Sequence, residues 1–107
     1  MNISNIFSDI PERAQEEIFE TIIKASQFKI ERIVSRGHST PKGHWINQNE
    51  NEWVFVLKGS AGLLFEGNDK VITMKPGDYI NISAHQKHRV EWTDQKNETI
   101  WLAIHYK

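Results

Sequence analysis

Side chains that could bind a metal ion or take part in acid–base chemistry concentrate in two short stretches, residues 44–52 and 85–88. The first stretch contains His44, Gln48 and Glu52, and the second contains His85 and His88. Imidazole and carboxylate groups together suit Fe, Mn, Ni, Cu or Zn. Inside a protein without a metal, the same polar groups need a hydrogen-bonding ligand. Both stretches therefore indicate a binding site, provided that the fold brings them together.

The composition restricts the kinds of partner. The 107 residues include 13 Lys and Arg against 14 Asp and Glu, for a net charge of -1. Without a basic excess, neither a nucleic acid nor a membrane surface is expected as a partner. The absence of cysteine excludes a disulfide framework, a thiolate nucleophile and a cysteine-ligated zinc site. Residues 1–10 do not look like a signal peptide, and no run approaches the length of a membrane helix. We expect a cytoplasmic protein.

The elements that must position the polar side chains are short strands. The length fits one domain, 1–107, which divides into an N-terminal extension at 1–26 and a barrel core at 27–107. Residues 8–12 are typical of a helix start and predict a short helical turn near residues 10–14. Residues 16–24 suit either an amphipathic helix or a strand, and we expect a strand.

From residue 28 onward, apolar and β-branched runs alternate with turn signals at spacings of about 8–12 residues, which is typical of an all-β sandwich or barrel. The run Trp53–Leu57 has no polar alternation, which predicts a strand covered on both faces. The predicted strands of this region are 28–35, 53–57, 61–66, 71–74, 79–82, 89–93 and 99–106.

Two segments resemble the motifs of the cupin family. In the first, Glu52 is followed seven residues later by Gly59; in the second, Gly77 is followed by a strand, a turn and His88. They occur in the family's order, separated by a short hairpin, and the resemblance covers residues 30–105. It implies a double-stranded β-helix, or jelly-roll, barrel that is often dimeric and has a pocket inside. In metal-binding cupins two histidines two residues apart, a glutamate and a later histidine hold the ion.

The sequence departs from this ligand set at the two paired histidines. Their positions fall on Ile46, which cannot bind a metal, and Gln48, which could do so only through its amide oxygen. In an extended chain residues 44, 46 and 48 share a face, so His44 is a possible substitute. A second substitute lies three residues before the later histidine. The candidate metal ligands are therefore Glu52, His88, Gln48, His44 and His85.

The sequence also predicts where four further residues lie relative to the pocket. We expect Trp45 near the pocket mouth, because it lies between His44 and Gln48. His38, in a polar loop, is interpreted as solvated. His105 could face either the pocket or solvent, and we favour solvent. Arg89 follows His88 directly and should point to the opposite face of its strand, as a surface or interface cation.

Three functions fit these features. The favoured hypothesis is a cupin barrel that binds a small molecule in its pocket, with or without a divalent metal ion, because both histidines of the first motif are missing. The alternative is a metal-dependent enzyme of the dioxygenase, isomerase or lyase type. The third is a structural dimer with a vestigial pocket. The apolar run 100–104 is either buried on both faces or pairs through one face with another subunit. With Phe28, Ile30 and residues 18–23 it could form the surface of the expected homodimer.

Overall fold

A computed structural model describes residues 2–12 and 16–107, and β-strands make up its regular structure. The strands are β1 Ile18–Lys24, β2 Phe28–Ser35, β3 Asn51–Lys58, β4 Ala61–Phe65, β5 Ile72–Met74, β6 Tyr79–Ile82, β7 His88–Thr93 and β8 Thr99–Tyr106. The strand expected after the N-terminal turn is confirmed as β1. Residues 10–12 form no helix, and the rest of the predicted helical turn, residues 13 and 14, lies outside the described residues. Within the described ranges, no helix is long and apolar enough to cross a membrane.

The strands form two antiparallel sheets. The larger has the order β1-β2-β8-β3-β6 and the smaller has the order β5-β4-β7. Strand β8 pairs with β2 along one edge and with β3 along the other, so it is the central strand of the larger sheet. The predicted all-β class is confirmed.

The core lies between the two sheets. It is built from inward-facing side chains of both: Ile33, Val54, Val56, Ala61, Leu63, Phe65, Met74, Ile82, Trp101 and Ala103. In β3 the burial alternates, with Val54 and Val56 buried and Trp53 and Phe55 only half-buried. Within one chain, only the inner face of this strand is fully covered, and the outer face is half-covered. An unbroken apolar run does not distinguish a strand buried on both sides from one with an apolar outer side.

The outer side of the larger sheet carries a continuous set of large apolar side chains, which we call the outer apolar face. Direct cross-strand pairing places its members on one side of the sheet. They are Phe28, Ile30, Trp53, Phe55, Tyr79, Leu102, Ile104 and Tyr106. The ring of Trp53 lies 5.8 Å from that of Phe55 and 5.3 Å from that of Tyr79, between centroids. Tyr79 is 66% exposed, and Phe28 is 38% exposed.

One turn depends on glycine. Gly59, between β3 and β4, has φ +82°, a conformation that side chains other than glycine rarely adopt. A Cβ atom at this position would lie 2.5 Å from the carbonyl oxygen of Glu98 and 2.7 Å from the Cα of Thr99. This turn therefore requires glycine both for its conformation and for its close approach to the start of β8.

Candidate functional site

A cavity of about 140 Å³ lies between the two sheets. Most of its wall is apolar and includes Ile33, Val54, Leu63 and Trp101. Its polar lining groups are three carboxylates, two imidazoles and one amide, which belong to Glu17, Glu31, Glu52, His88, His105 and Gln48. The cavity is thus an apolar chamber with a concentrated group of titratable side chains.

Strand alternation directs these side chains inward from three neighbouring strands. Glu52 on β3 is directly paired with His105 on β8, so both project from the same side of the sheet. Glu31 on β2 occupies the inward side of the next strand, opposite Ala103. His88 begins β7 in the facing sheet, where its backbone bridges to that of Ile46. The fold therefore brings Glu52 and His88 together across the chamber, 3.9 Å apart between Oε1 and Nε2.

The His88 ring has a defined tautomer. Its Nδ1 lies 2.9 Å from the carbonyl oxygen of Gln86, which accepts but cannot donate a hydrogen bond. Nδ1 must therefore carry the proton, and in the neutral ring Nε2 is an acceptor. His88 is only 3% exposed and lines the cavity. In its neutral form the ring thus presents an imidazole lone pair to the chamber, beside the carboxyl group of Glu52.

Glu31 and His105 form a buried ion pair. His105 Nε2 lies 2.8 Å from Glu31 Oε1, and each side chain is 11% exposed. The hydrogen bond to Glu31 raises the pKa of His105 above its ordinary value of 6.5, and the same bond lowers the pKa of Glu31. A second cation, the Lys29 ammonium, lies 3.3 Å from the other oxygen of Glu31.

The pKa of Glu52 shifts in the opposite direction to that of Glu31. Its side chain is 9% exposed, and this burial raises the pKa of the carboxyl group above its ordinary value. The charges of His105 and His88 and a hydrogen bond from Gln48 oppose the effect of burial. Its Oε2 lies 4.0 Å from His105 Nε2. Glu52 is therefore a carboxyl group whose protonated, hydrogen-bond-donating form persists to higher pH than in an exposed glutamate.

The third carboxylate is tied to the cavity wall. Glu17 accepts a hydrogen bond of 2.5 Å from the Ser35 hydroxyl, which itself accepts one of 3.2 Å from the Trp101 indole N–H. This chain of hydrogen bonds holds the large Trp101 ring in place as part of the chamber wall.

A wider polar hollow adjoins the chamber. The two share Glu31, Gln48 and His105, and the hollow is also lined by Lys29 and by the loop residues Asn47 and His85, among others. Its volume is about 640 Å³. We interpret the hollow as the mouth through which a ligand would reach the chamber.

The structure brings some of the sequence-predicted residues together and separates others. Glu52, His88 and Gln48 all line the chamber. His85 lies in the mouth, with Nδ1 3.2 Å from the Asn47 side-chain oxygen. His44 is exposed and lines neither the chamber nor the mouth.

The expectation that Trp45 lies at the pocket mouth is wrong. It lines neither hollow, is 38% exposed, and has the Arg89 guanidinium 6.0 Å from its ring centroid. Arg89 points away from the chamber, as expected, and donates hydrogen bonds to the carbonyl groups of Thr40, Pro41 and His44. These bonds hold the 40–45 loop on the outside, and this explains the placement of both His44 and Trp45.

Three polar residues of the chamber were not predicted as site residues from the sequence. They are His105, which we expected to face solvent, and the two carboxylates Glu17 and Glu31. A signal was present for two of them. In β8, Trp101 and His105 fall on alternate positions and so share a face, as Glu31 and Ile33 do in β2. A charged or polar residue that lies two or four positions from a core residue on the same strand also points into the protein.

The His and Glu side chains of the chamber are the possible ligands of a metal ion. Among the described residues, no group of three or more His, Cys, Asp or Glu side chains is arranged to hold one. His105 is close to Glu52, but its Nε2 is already hydrogen-bonded to Glu31, 2.8 Å away. The described residues therefore do not fit a three-donor metal centre.

Comparison with known proteins places the chain in a family. Residues 31–105 match the model of the cupin domain, and the chain belongs to the cupin family. Among curated proteins, none matches this chain.

Solved structures agree with this assignment. The chain is similar, at 42% identity and a TM-score of 0.94, to a Ralstonia eutropha JMP134 protein named "putative mannose-6-phosphate isomerase", with coverage of 100% of this chain and 99% of the other. A cupin superfamily protein of Desulfitobacterium hafniense DCB-2 is 18% identical, with a TM-score of 0.72 and coverage of 91% and 83%. An RmlC-like cupin of Methanocaldococcus jannaschii with a double-stranded β-helix fold is 17% identical, with a TM-score of 0.70 and coverage of 92% and 86%. The predicted double-stranded β-helix barrel is confirmed.

Proposed function

We propose that this cupin binds a small molecule in the chamber and that Glu52 and His88 hydrogen-bond it. The observation that carries the proposal is the 3.9 Å separation of Glu52 Oε1 and His88 Nε2 inside the cavity. This separation is shorter than two hydrogen bonds of about 2.8 Å end to end, so one ligand atom can contact both groups. The rest of the ligand would pack against the apolar wall.

The size of the chamber limits the ligand. Its volume of about 140 Å³ is close to that of engineered apolar cavities of roughly 150 Å³ that bind benzene in another protein. A ligand buried entirely in the chamber would therefore have about six non-hydrogen atoms. A larger ligand would extend into the polar mouth.

The test is a binding titration with compact neutral alcohols and ketones, followed by two-dimensional NMR of the Trp101 indole N–H. Trp101 lines the chamber, so a saturable shift of its signal reports occupancy. We expect the variant His88→Phe, which keeps a large ring but removes the acceptor, to bind the alcohols about tenfold more weakly, which corresponds to 1.4 kcal/mol. His44→Phe, outside the chamber, serves as the matched control. Saturable binding that leaves Trp101 unshifted, or that is equal in both variants, would contradict the proposal.

The identity to the Ralstonia protein makes isomerisation of a phosphorylated sugar a second candidate function. The charges of the chamber do not favour it, because none of the described residues that line the chamber is Lys or Arg. The metal-dependent form of the enzyme hypothesis is not favoured by the donor set either. Elemental mass spectrometry on protein purified without chelators, wild type and His88→Ala, tests the metal. A stoichiometric ion that the variant loses would replace our proposal with the metalloenzyme.

We also propose that a second copy of the chain covers the outer apolar face. From strand lengths and spacings the outer side of the larger sheet spans on the order of 600 Å², which includes the polar Arg32, Asn51 and Asn81. This is below the ~800 Å² per partner of a standard interface, but an apolar patch of a few hundred Å² is often a contact site. In a two-fold dimer the face would pack against itself.

Light scattering after gel filtration tests the dimer. We expect the mass of two chains for the wild type and for Ile72→Lys, on the smaller sheet. Leu102→Lys, in the middle of the outer apolar face, should give the mass of one chain. A wild-type monomer would exclude the dimer.

A further inference from the structure

The polar groups of the chamber are predominantly hydrogen-bond acceptors. Three carboxylates line it, and the described lining residues include neither Lys nor Arg. The one imidazolium, His105, is already paired with Glu31 at 2.8 Å. Among the described lining residues, a ligand therefore meets the carboxyl groups of Glu17 and Glu52 with no Lys or Arg side chain beside them.

His88 adds an independent observation. The ring is 97% buried, its Nδ1 proton is donated to the carbonyl oxygen of Gln86, and its Nε2 faces the chamber. Within the part of the chain that the structure describes, no donor lies within hydrogen-bond distance of Nε2; the nearest charged group is Glu52 at 3.9 Å. Nε2 is open to the chamber, so a bound hydrogen-bond donor can pair with it.

Resting on the proposed function of the chamber, we infer that its ligand is a compact apolar molecule with a hydrogen-bond-donating head group, a hydroxyl or an ammonium, and with no phosphate or carboxylate. The head group would lie between Glu52 and His88 and donate to Nε2. A hydroxyl would also hydrogen-bond the Glu52 carboxyl group, and an ammonium would donate to both groups and carry a charge opposite to that of the carboxylate.

An anionic head group would fail in the same position. Its oxygens are acceptors, so the His88 Nε2 lone pair would remain without a donor. Its charge would also lie beside the carboxyl group of Glu52, while the imidazole of His105 is already paired with Glu31. The geometry thus separates ligands by head group even when their apolar skeletons are identical.

The experiment uses three probes with one skeleton: isobutylamine, isobutanol and isobutyrate, each titrated near neutral pH, where the amine is charged and the acid ionised. Trp101 indole N–H shifts in the wild-type protein give the dissociation constants. We expect isobutylamine and isobutanol to bind at least about tenfold more tightly than isobutyrate. Glu52→Gln, an isosteric change, should reduce the preference for the amine over the alcohol. Glu66→Gln, on the exposed surface, should leave it unchanged.

The outcomes distinguish this inference from the proposed function. If isobutyrate, or mannose 6-phosphate added as a fourth probe, binds at Trp101 as tightly as isobutanol, the head-group inference is wrong and the binding chamber stands. If none of the probes shifts Trp101, both are wrong. The wild-type series alone decides between these results, so the conclusion holds even if Glu52→Gln is poorly folded.

Discussion

Replacing Glu31 with glutamine tests the electrostatics of the chamber most directly. The change keeps the size of the side chain and removes the negative charge that lies 2.8 Å from His105 Nε2. A hydrogen bond to a charged partner contributes about 1.5–3 kcal/mol and a neutral one about 0.5–1.5 kcal/mol. Loss of the half-exposed pair with Lys29 adds at most about 1 kcal/mol. We therefore expect a loss of about 1–2 kcal/mol near pH 6, or at least about 4–8 °C in melting temperature.

The pH dependence of this loss follows from the two pKa shifts. The pKa of His105 is raised above 6.5, so the stability it contributes is complete below 6.5 and is lost as the pH rises through the folded-state pKa. The pKa of Glu31 is lowered below 4.5, so its contribution is present above 4.5 and is lost as the pH falls through the folded-state pKa. The difference between wild type and variant should therefore be largest between 4.5 and 6.5 and shrink on either side.

Urea denaturation of both proteins, from about pH 4 to about pH 9, measures the difference in free energy of unfolding. NMR titration of the His105 ring measures its pKa, which should fall in Glu31→Gln. The exposed pair of Glu66 with Lys87, 3.9 Å apart, provides the matched control, and Glu66→Gln should change stability by less than about 0.5 kcal/mol. A difference that does not vary with pH, or a His105 pKa that is the same in wild type and variant, would refute the reasoning.

Two further predictions concern the core around the chamber and the turn between β3 and β4. Leu63→Ala, at a position 2% exposed in the core, should cost about 2–4 kcal/mol by urea denaturation, whereas Ile72→Ala, 42% exposed, should cost under about 1 kcal/mol; equal losses would place the core elsewhere. Gly59→Ala should lower the melting temperature well below that of Gly67→Ala. Both residues have positive φ, but only at Gly59 would the new Cβ meet backbone atoms within 3 Å, and similar melting temperatures would contradict that contact.

Much of the strand pattern was predictable because it is local. The run 28–35 coincides with β2, and 79–82 with β6. The meeting of Glu52 with His88 also followed from the resemblance, since the motif spacing carries information about the whole barrel. Within one chain only the inner face of Trp53–Leu57 is fully covered, because an apolar side chain can equally face outward from a sheet.

The remainder of the site depends on contacts that no local pattern reveals. Glu31 and His105 are 74 residues apart, and only the pairing of β2 with β8 makes them neighbours. A single histidine in an apolar strand gives no indication of which residues lie on the adjoining strand. The misplacement of Trp45 has the same origin, because Arg89, 44 positions later, determines the course of the 40–45 loop.

The central position of β8 has a consequence for how the barrel assembles. β8 follows all seven other strands in the chain, yet it lies between β2 and β3 and hydrogen-bonds both. Until it emerges from the ribosome, β2 and β3 have no strand to join them, and the polar end of the chamber lacks His105. Closing the sheet links residues as distant as Phe28 and Tyr106, and such long-range closure slows folding. The binding site is thus complete only after the last of the eight strands has been synthesised.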